Sequence, residues 1–283
     1  MRSVLLLAAA ALTLAAQIKR NEPFPSYRII GNLYSVGASD IASFLIVTPQ
    51  GDILINSGYE ETVPIIRAGI EKLGFHLKDV KILLASHAHN DHVAGLATLR
   101  ALTGAKVMIM DADVYEISTG GKGDFRFEGI YSWKPCKVDR VLHDGEQVSL
   151  GGMTLTAHRT PGHTRGNTTW TFPVMDGGKK YDVVIVGSTS INPGVHLVNN
   201  AKYPKIADDY AYTFRLLRAL SCDVFLGAHT GMYDGSEKYR RLKNGEKPNP
   251  FIDPAGYRKY IDESEAVYRA QLAQERAASV SKH

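Results

Sequence analysis

Hydrophobic positions along the chain follow two rhythms. Short runs rich in β-branched and aromatic residues recur at 27–30, 44–47 and 53–55, separated by glycine and proline, and predict an antiparallel meander. Residues 60–73 switch to helical spacing, with Val63, Ile66, Ile70 and Leu73 on one face and Gly74 as a stop. A continuous apolar run at 82–85 reads as a buried strand, and 93–102 resumes a helix that Gly104 closes. Strand signals return at 107–109, 140–142, 154–158, 168–172, 183–186 and 224–226, with helices at 112–117 and 208–220 between them. The glycine-rich stretch 120–127 reads as an exposed loop. The tail, 254–278, predicts a charged helix with Tyr257, Ile261, Val267, Tyr268 and Leu272 as its inner stripe. Strands and helices thus repeat in two similar halves, with no fixed-period repeat and no linker. One α/β domain over residues 17–283, ending in that helix, is expected.

Composition changes this picture only at the start. Behind Arg2, an apolar run at 4–16 ends in small residues before Lys19 and Arg20, the layout of a secretory leader. The run is shorter than the roughly 20 residues of a membrane helix. Residues 1–16 are therefore expected to be a cleaved signal peptide, giving a periplasmic protein with no stable membrane anchor. Arg2, Lys19 and Arg20 carry part of the net charge of +4, so the mature domain is nearer neutral and no nucleic-acid partner is expected. A monomer is the default expectation. The two cysteines, Cys136 and Cys222, are either joined by export or left as free thiols.

Candidate chemistry lies in the histidines. Three of them and an aspartate crowd into Ser86-His87-Ala88-His89-Asn90-Asp91-His92, directly after the buried run. Alternation points His87 and His89 the same way from an extended segment, while Asp91 and His92 begin the next turn and face a neighbouring point. Two adjacent metals follow. Zinc favours tetrahedral nitrogen and carboxylate sites, with about three protein ligands each and one position left for water. Two more ligands are then required, and strand ends offer His163, in Thr160-Pro161-Gly162-His163-Thr164, and His229, in Gly227-Ala228-His229-Thr230. His76, His143, His158, His196 and His283 lack such a setting and read as ordinary polar residues.

With these motifs the chain resembles the metallo-β-lactamase superfamily over about residues 27–233, and within it the third subclass of true metallo-β-lactamases. The first histidine motif is common to the superfamily. The likeness to the subclass lies in residues 162–170, 187–194 and 220–224. The resemblance implies a four-layer αββα sandwich holding two Zn²⁺ ions. His87, His89 and His163 would bind the first, and Asp91, His92 and His229 the second. Ser188 stands where glyoxalase II, lactonases and the RNA-processing branch carry a bridging aspartate, and where other β-lactamase subclasses carry a cysteine ligand. Two zincs balanced by Asp91 and one hydroxide leave a strongly positive centre suited to an anionic substrate such as a β-lactam. By the same resemblance, Ser188 and Ser190 bind the substrate carboxylate. Arg165 replaces a more usual proline and is expected to alter the pocket rim. Asn56 replaces an aspartate-bearing turn and is expected to brace a ligand. Cys222 matches a position that is disulfide-bonded in some relatives, but the chain has no late partner for it.

The expected activity is hydrolysis of the lactam amide by a zinc-bound bridging hydroxide, with Asp91 as the catalytic residue that orients it and relays its proton. Alternatives are a thioester or lactone hydrolase of the same fold, and a metal- or RNA-binding protein that does not hydrolyse.

Overall fold

A computed structural model describes residues 21–280, so the leader expected at 1–16 and the terminal His283 lie outside the described residues. One sheet runs in chain order: β1 (Tyr27–Ile30), β2 (Leu33–Ser35), β3 (Phe44–Ile46), β4 (Asp52–Ile55), β5 (Val80–Leu84), β6 (Lys106–Met110) and β7 (Arg140–Leu142). It is antiparallel from β1 to β4 and parallel from β4 to β7. The change follows the connections, because parallel neighbours need a crossover and helices supply it. Those helices are α1 (Val63–Lys72), α2 (Asn90–Val93), α3 (Leu96–Thr103) and α4 (Val114–Thr119).

The second sheet contains β8 (Gln147–Leu150), β9 (Met153–Arg159), β10 (Thr168–Asp176), β11 (Lys179–Val186) and β12 (Val224–Gly227), in the order β12-β11-β10-β9-β8. Only the β11–β12 pair is parallel, joined across helix α5 (Ile206–Ala219). Two more helices follow, α6 (Gly235–Lys243) and α7 (Pro254–Val280).

Alternation along the strands decides which side each residue serves. In the first sheet Phe44, Ile46, Ile53, Ile55, Ile82, Leu84, Met108 and Met110 face the second sheet, joining Leu155, Trp170, Phe172 and Ile185 in one cluster. Their neighbours Leu45, Leu54, Leu83, Val107 and Ile109 face the other way and bury Val63, Ile66 and Ile70 of α1 with Leu96 and Leu99 of α3. Beyond the second sheet lie Tyr210 and Phe214 of α5 with Tyr257, Ile261 and Tyr268 of α7. The result is the four-layer αββα sandwich.

Differences from the expected elements have local causes. Strands β2 and β8 are only three and four residues long, too short for a readable alternation. Helix α6 is mostly charged and polar, so no apolar stripe announces it. The helix expected at 93–102 is two, with a break between Val93 and Leu96. Val267 is not part of the inner stripe of α7: it is 63% exposed. At about 100° per residue it lies roughly 100° from the face shared by Tyr257, Ile261 and Tyr268. Cys136 and Cys222 are both free, in different layers. No helix of the described residues is long and apolar enough to cross a membrane.

Strands β5, β9, β11 and β12 all end on one edge of the sandwich, where hydrogen bonds join the two sheets. Thr168 N–H donates to the Ser86 carbonyl at 2.7 Å, and Ala42 N–H to that of Ala228 at 3.0 Å. Trp170 lies beneath this edge, 1% exposed, and its indole N–H donates to the Ala85 carbonyl at 3.1 Å. Replacing it removes a large buried ring and leaves that carbonyl unpaired. Trp170→Ala is expected to destabilise the chain by about 3–5 kcal/mol in urea unfolding. A loss below about 1 kcal/mol would mean that the ring is not packed as described.

Candidate metal centre

Every ligand candidate lies just past a strand end, in a loop or, for Asp91 and His92, in the short helix α2, where the chain leaves the sheet and its side chains can turn inward. Leaving β5, the chain passes Ala85 and Ser86 and carries His87, His89, Asp91 and His92 into the short helix α2. Beyond β9 the turn 160–162 delivers His163, and beyond β12 Ala228 delivers His229. Gly162 is required at its position: its φ is +135°, and a Cβ there would lie 2.8 Å from the ring of buried Tyr210.

The six side chains converge. Ring centroids of His87 lie 4.9 Å from those of His89, 4.6 Å from His163 and 4.3 Å from His92, and His89 is 4.7 Å from His163. His87, His89 and His163 each offer one ligand atom within 4.8 Å of the others, and so do His87, Asp91 and His92. His87 therefore stands between two clusters. His229 joins the second: its Nε2 is 3.2 Å from His92 Nε2 and 3.6 Å from Asp91 Oδ2, and the His92–Asp91 distance is also 3.6 Å. Donors about 2.0–2.1 Å from a tetrahedral zinc stand about 3.4 Å apart, so this triangle has the size of one ligand face.

Groups behind the rings fix which nitrogen faces inward. The Ser190 carbonyl can only accept, so His163 Nδ1 carries the hydrogen it donates at 2.8 Å and Nε2 keeps its lone pair. His229 Nδ1 donates to Asp40 Oδ2 at 3.1 Å, again leaving Nε2. His89 is reversed: Nε2 donates to Asp124 Oδ2 at 3.2 Å, and Nδ1 faces the site. His87 Nδ1 lies 3.2 Å from the Ser86 hydroxyl. His92 Nδ1 is buried with no hydrogen-bond partner.

Charge fits a cation. Burial first, and neighbouring histidines after it, hold His87 well below its ordinary pKa, so it is neutral near pH 7. His92 and His163 are each lowered to about 3, with burial the main cause. Burial pushes the Asp91 carboxyl up, but the surrounding histidines, His92 foremost, outweigh it and hold the pKa at about 2. Neutral imidazole lone pairs and one carboxylate thus face a shared volume. The Nε2 atoms of His92 and His229 meet at 3.2 Å, an arrangement that a metal ion accepting both would satisfy. The all-nitrogen and mixed nitrogen–oxygen donor sets suit zinc.

Ser188 is buried and Ser190 exposed, and their hydroxyls are 3.1 Å apart. Ser190 Oγ is also 3.2 Å from His163 Nδ1. Asn56 does not brace a ligand directly. Its Oδ1 accepts from Ser86 N–H at 2.7 Å, so it holds the mouth of the first loop, in a left-handed conformation that asparagine tolerates. Arg165 is stacked on Phe125 and Tyr203, 5.5 and 5.0 Å from their ring centres.

The loop 120–127 is not the exposed segment its glycines suggested. Asp124 and Phe125 are buried, the Asp124 carboxylate holds His89, and Phe127 packs its ring 5.2 Å from that of His89. A polar residue next to a large apolar one was the available signal. Asp40, Asp113, Asp124 and Tyr210 all serve the site and were missed, since each meets its partner from a distant stretch of chain. Behind the loop, Glu116 Oε2 is buried with no partner.

The sequence matches the metallo-beta-lactamase superfamily over residues 36–229, more than half of its length, and the chain belongs to that superfamily. Among solved structures it is similar to native FEZ-1 metallo-beta-lactamase from Legionella gormanii. Identity is 52% and the TM-score 0.89, over 90% of this chain and 98% of that one. It is also similar to the class B3 di-zinc metallo-beta-lactamase LRA-12 from an Alaskan soil metagenome, at 35% identity and a TM-score of 0.84, over 89% of this chain and 95% of that one. These neighbours bear out the likeness to the third subclass. Among curated proteins, a hydroxyacylglutathione hydrolase of Cereibacter sphaeroides is 33% identical over 113 residues, 40% of this chain. That match spans 36% of the hydrolase's own length.

Glu116 supplies a test of the buried loop. Burial, then Asp113, push its pKa up to about 7 from 4.5, Asp124 adding to the push while its own backbone and Arg165 oppose it. Between those values the folded chain keeps a proton that the unfolded chain releases, so stability falls as pH rises through that window. Glu116→Gln should gain on the order of 2–3 kcal/mol over wild type near pH 8 and nothing near pH 4. Denaturant unfolding at both pH values checks this, and a pH-independent difference would sink it.

Proposed function

We propose that this chain is a zinc-dependent β-lactamase that hydrolyses the amide bond of β-lactams, with His87, His89 and His163 holding one Zn²⁺ and Asp91, His92 and His229 a second. The observation that carries the choice of substrate is the neutral hydroxyl pair of Ser188 and Ser190 beside His163. That strand end contributes no carboxylate, so Asp91 is the one anion among the six donors. Bound zinc supplies Lewis acidity and makes hydroxide available from water near neutral pH. Such a centre attracts an anionic substrate, and Ser190, which is exposed, can donate its hydroxyl hydrogen to a substrate carboxylate.

The chain's own residues divide the remaining work. With its pKa held at about 2, Asp91 is ionised near neutral pH, and it would accept the proton that water gives up in the attack on the lactam carbonyl. As the C–N bond opens, that proton passes to the departing nitrogen, so water is added across the bond. Asp124, Asp40 and the Ser190 carbonyl hold three imidazoles in the tautomers that keep their lone pairs inward. The apolar run at 4–16 behind Arg2 favours the periplasm as the place of action.

The thioester reading keeps the partial likeness to hydroxyacylglutathione hydrolase in its favour. The two are separated by assaying purified chain on a chromogenic cephalosporin and on a glutathione thioester, before and after dialysis against a chelator. The expected outcome is β-lactam turnover that the chelator abolishes and zinc restores, with little thioester turnover. Preference for the thioester would overturn the proposal. His163→Ala should lower bound zinc from about two ions per chain to about one and remove most turnover, because a site needs about three protein ligands. Unchanged zinc content with full turnover would remove His163 from the site.

A further inference from the structure

We infer that Asp113 is a positioning residue for the His87, His89 and His163 site, locking together the two loops that carry those histidines. The inference rests on the zinc reading above. Asp113 lies between β6 and α4, 2% exposed. Its Oδ2 accepts from Ala88 N–H, the peptide between His87 and His89, at 2.8 Å. The same oxygen accepts from the hydroxyl of Thr164, next to His163, at 2.8 Å. Oδ1 accepts from Gly166 N–H at 2.7 Å. One carboxylate therefore spans the loop after β5 and the loop after β9, which belong to different sheets.

The chemistry requires an acid rather than an amide. All three partners are donors, and only an ionised carboxylate accepts at both of its oxygens. Asparagine in the same place would turn an NH₂ group either against Gly166 or against Ala88 and Thr164. The close approach is also built in from the other side. A Cβ on Gly166 would lie 2.5 Å from the Asp113 backbone nitrogen and 2.6 Å from its carboxyl carbon, so the loop reaches this position only without a side chain.

Asp113 serves one site and not the other. The second set has separate anchors: the His92 carbonyl accepts from Ser57 N–H at 2.9 Å, and His229 is held by Asp40. No hydrogen bond of Asp113 reaches the peptides or rings of Asp91, His92 or His229. Asp124 braces the first set too, but through the His89 ring alone. Losing Asp113 should therefore loosen the spacing between His163 and the His87–His89 pair while the other trio keeps its shape.

The test uses the full chain, stripped of metal and reloaded stepwise with zinc against a competing chelator. A parallel cobalt(II) titration reads which donor set fills, since three nitrogens and two nitrogens with one oxygen give different ligand-field bands. Wild type should take two ions. Asp113→Asn should weaken the all-histidine site roughly ten- to a hundred-fold and leave the other unchanged. Asp40→Asn should do the reverse. Gly166→Ala should reproduce the selective loss with the carboxylate intact. Thr164→Val, which deletes one donor of three, should show a smaller loss at the same site and keeps the test open if a harsher variant fails to fold. Equal weakening of both sites, or no weakening of the all-histidine site in these variants, overturns the role of Asp113. A wild-type chain that binds no metal overturns the zinc reading and this inference with it, a result distinct from the other two.

Discussion

Several imidazole lone pairs and one carboxylate point into a common buried volume, and that convergence constrains the rest of the molecule. Burial keeps His87, His92 and His163 unprotonated near neutral pH, so their lone pairs are available to a cation, and the Nε2 atoms of His92 and His229 stand 3.2 Å apart. A flexible chain would relax by turning the rings away. Here they are held from behind, His163 by a backbone carbonyl and His89 and His229 by carboxylates, so turning any of these rings would give up a hydrogen bond. A metal bound there would use donors that the fold already holds in place, which would couple metal affinity to the stability of the fold.

The donors come from both sheets, so the centre exists only when the sheets stand in one relation. Four donors arrive on the loop after β5, His163 follows β9 and His229 follows β12. Hydrogen bonds at the shared edge fix that relation, and Trp170 fills the space under it. The buried inner faces thus do more than exclude water. Their packing sets the distance between loops that would otherwise move independently, which is the preorganisation a metal site needs.

Much of this was legible in the sequence because it is periodic or local. Apolar runs at 44–47 and 53–55 marked strands of the first sheet, and the spacing of His87, His89, Asp91 and His92 pointed to a loop of candidate ligands that the structure brings together. His163 and His229 were found because each follows an apolar run and sits next to or near a glycine. Residues that hold the ligands in place were not legible, for a physical reason. Asp40 is 189 positions from His229, Asp124 is 35 from His89, and Asp113 is 25 from Ala88 and 51 from Thr164. A hydrogen bond across such distances leaves no mark on local hydrophobic rhythm. The loop 120–127 misled because glycines were taken as exposure, when its aspartate and phenylalanine had burial to gain. Val267 misled because hydrophobicity was counted without its angle on the helix.

The segment 188–190 shows how far the site's supports extend. The Ser190 carbonyl accepts from both His163 Nδ1 and the Tyr210 hydroxyl, the latter at 2.7 Å, which ties the turn to α5. Thr189 Oγ1 is 2.7 Å from the Tyr260 hydroxyl, which ties it to α7. Tyr257 of the same helix donates to the Leu217 carbonyl of α5 at 2.8 Å, and Arg218 there pairs with Glu265. The charged tail helix, whose outer face reads as simple solvated surface, therefore fixes the back of the turn that presents Ser190. A hydroxyl can favour one anion over another only if it is held in place, and here the holding is done by tyrosines on two helices outside both sheets.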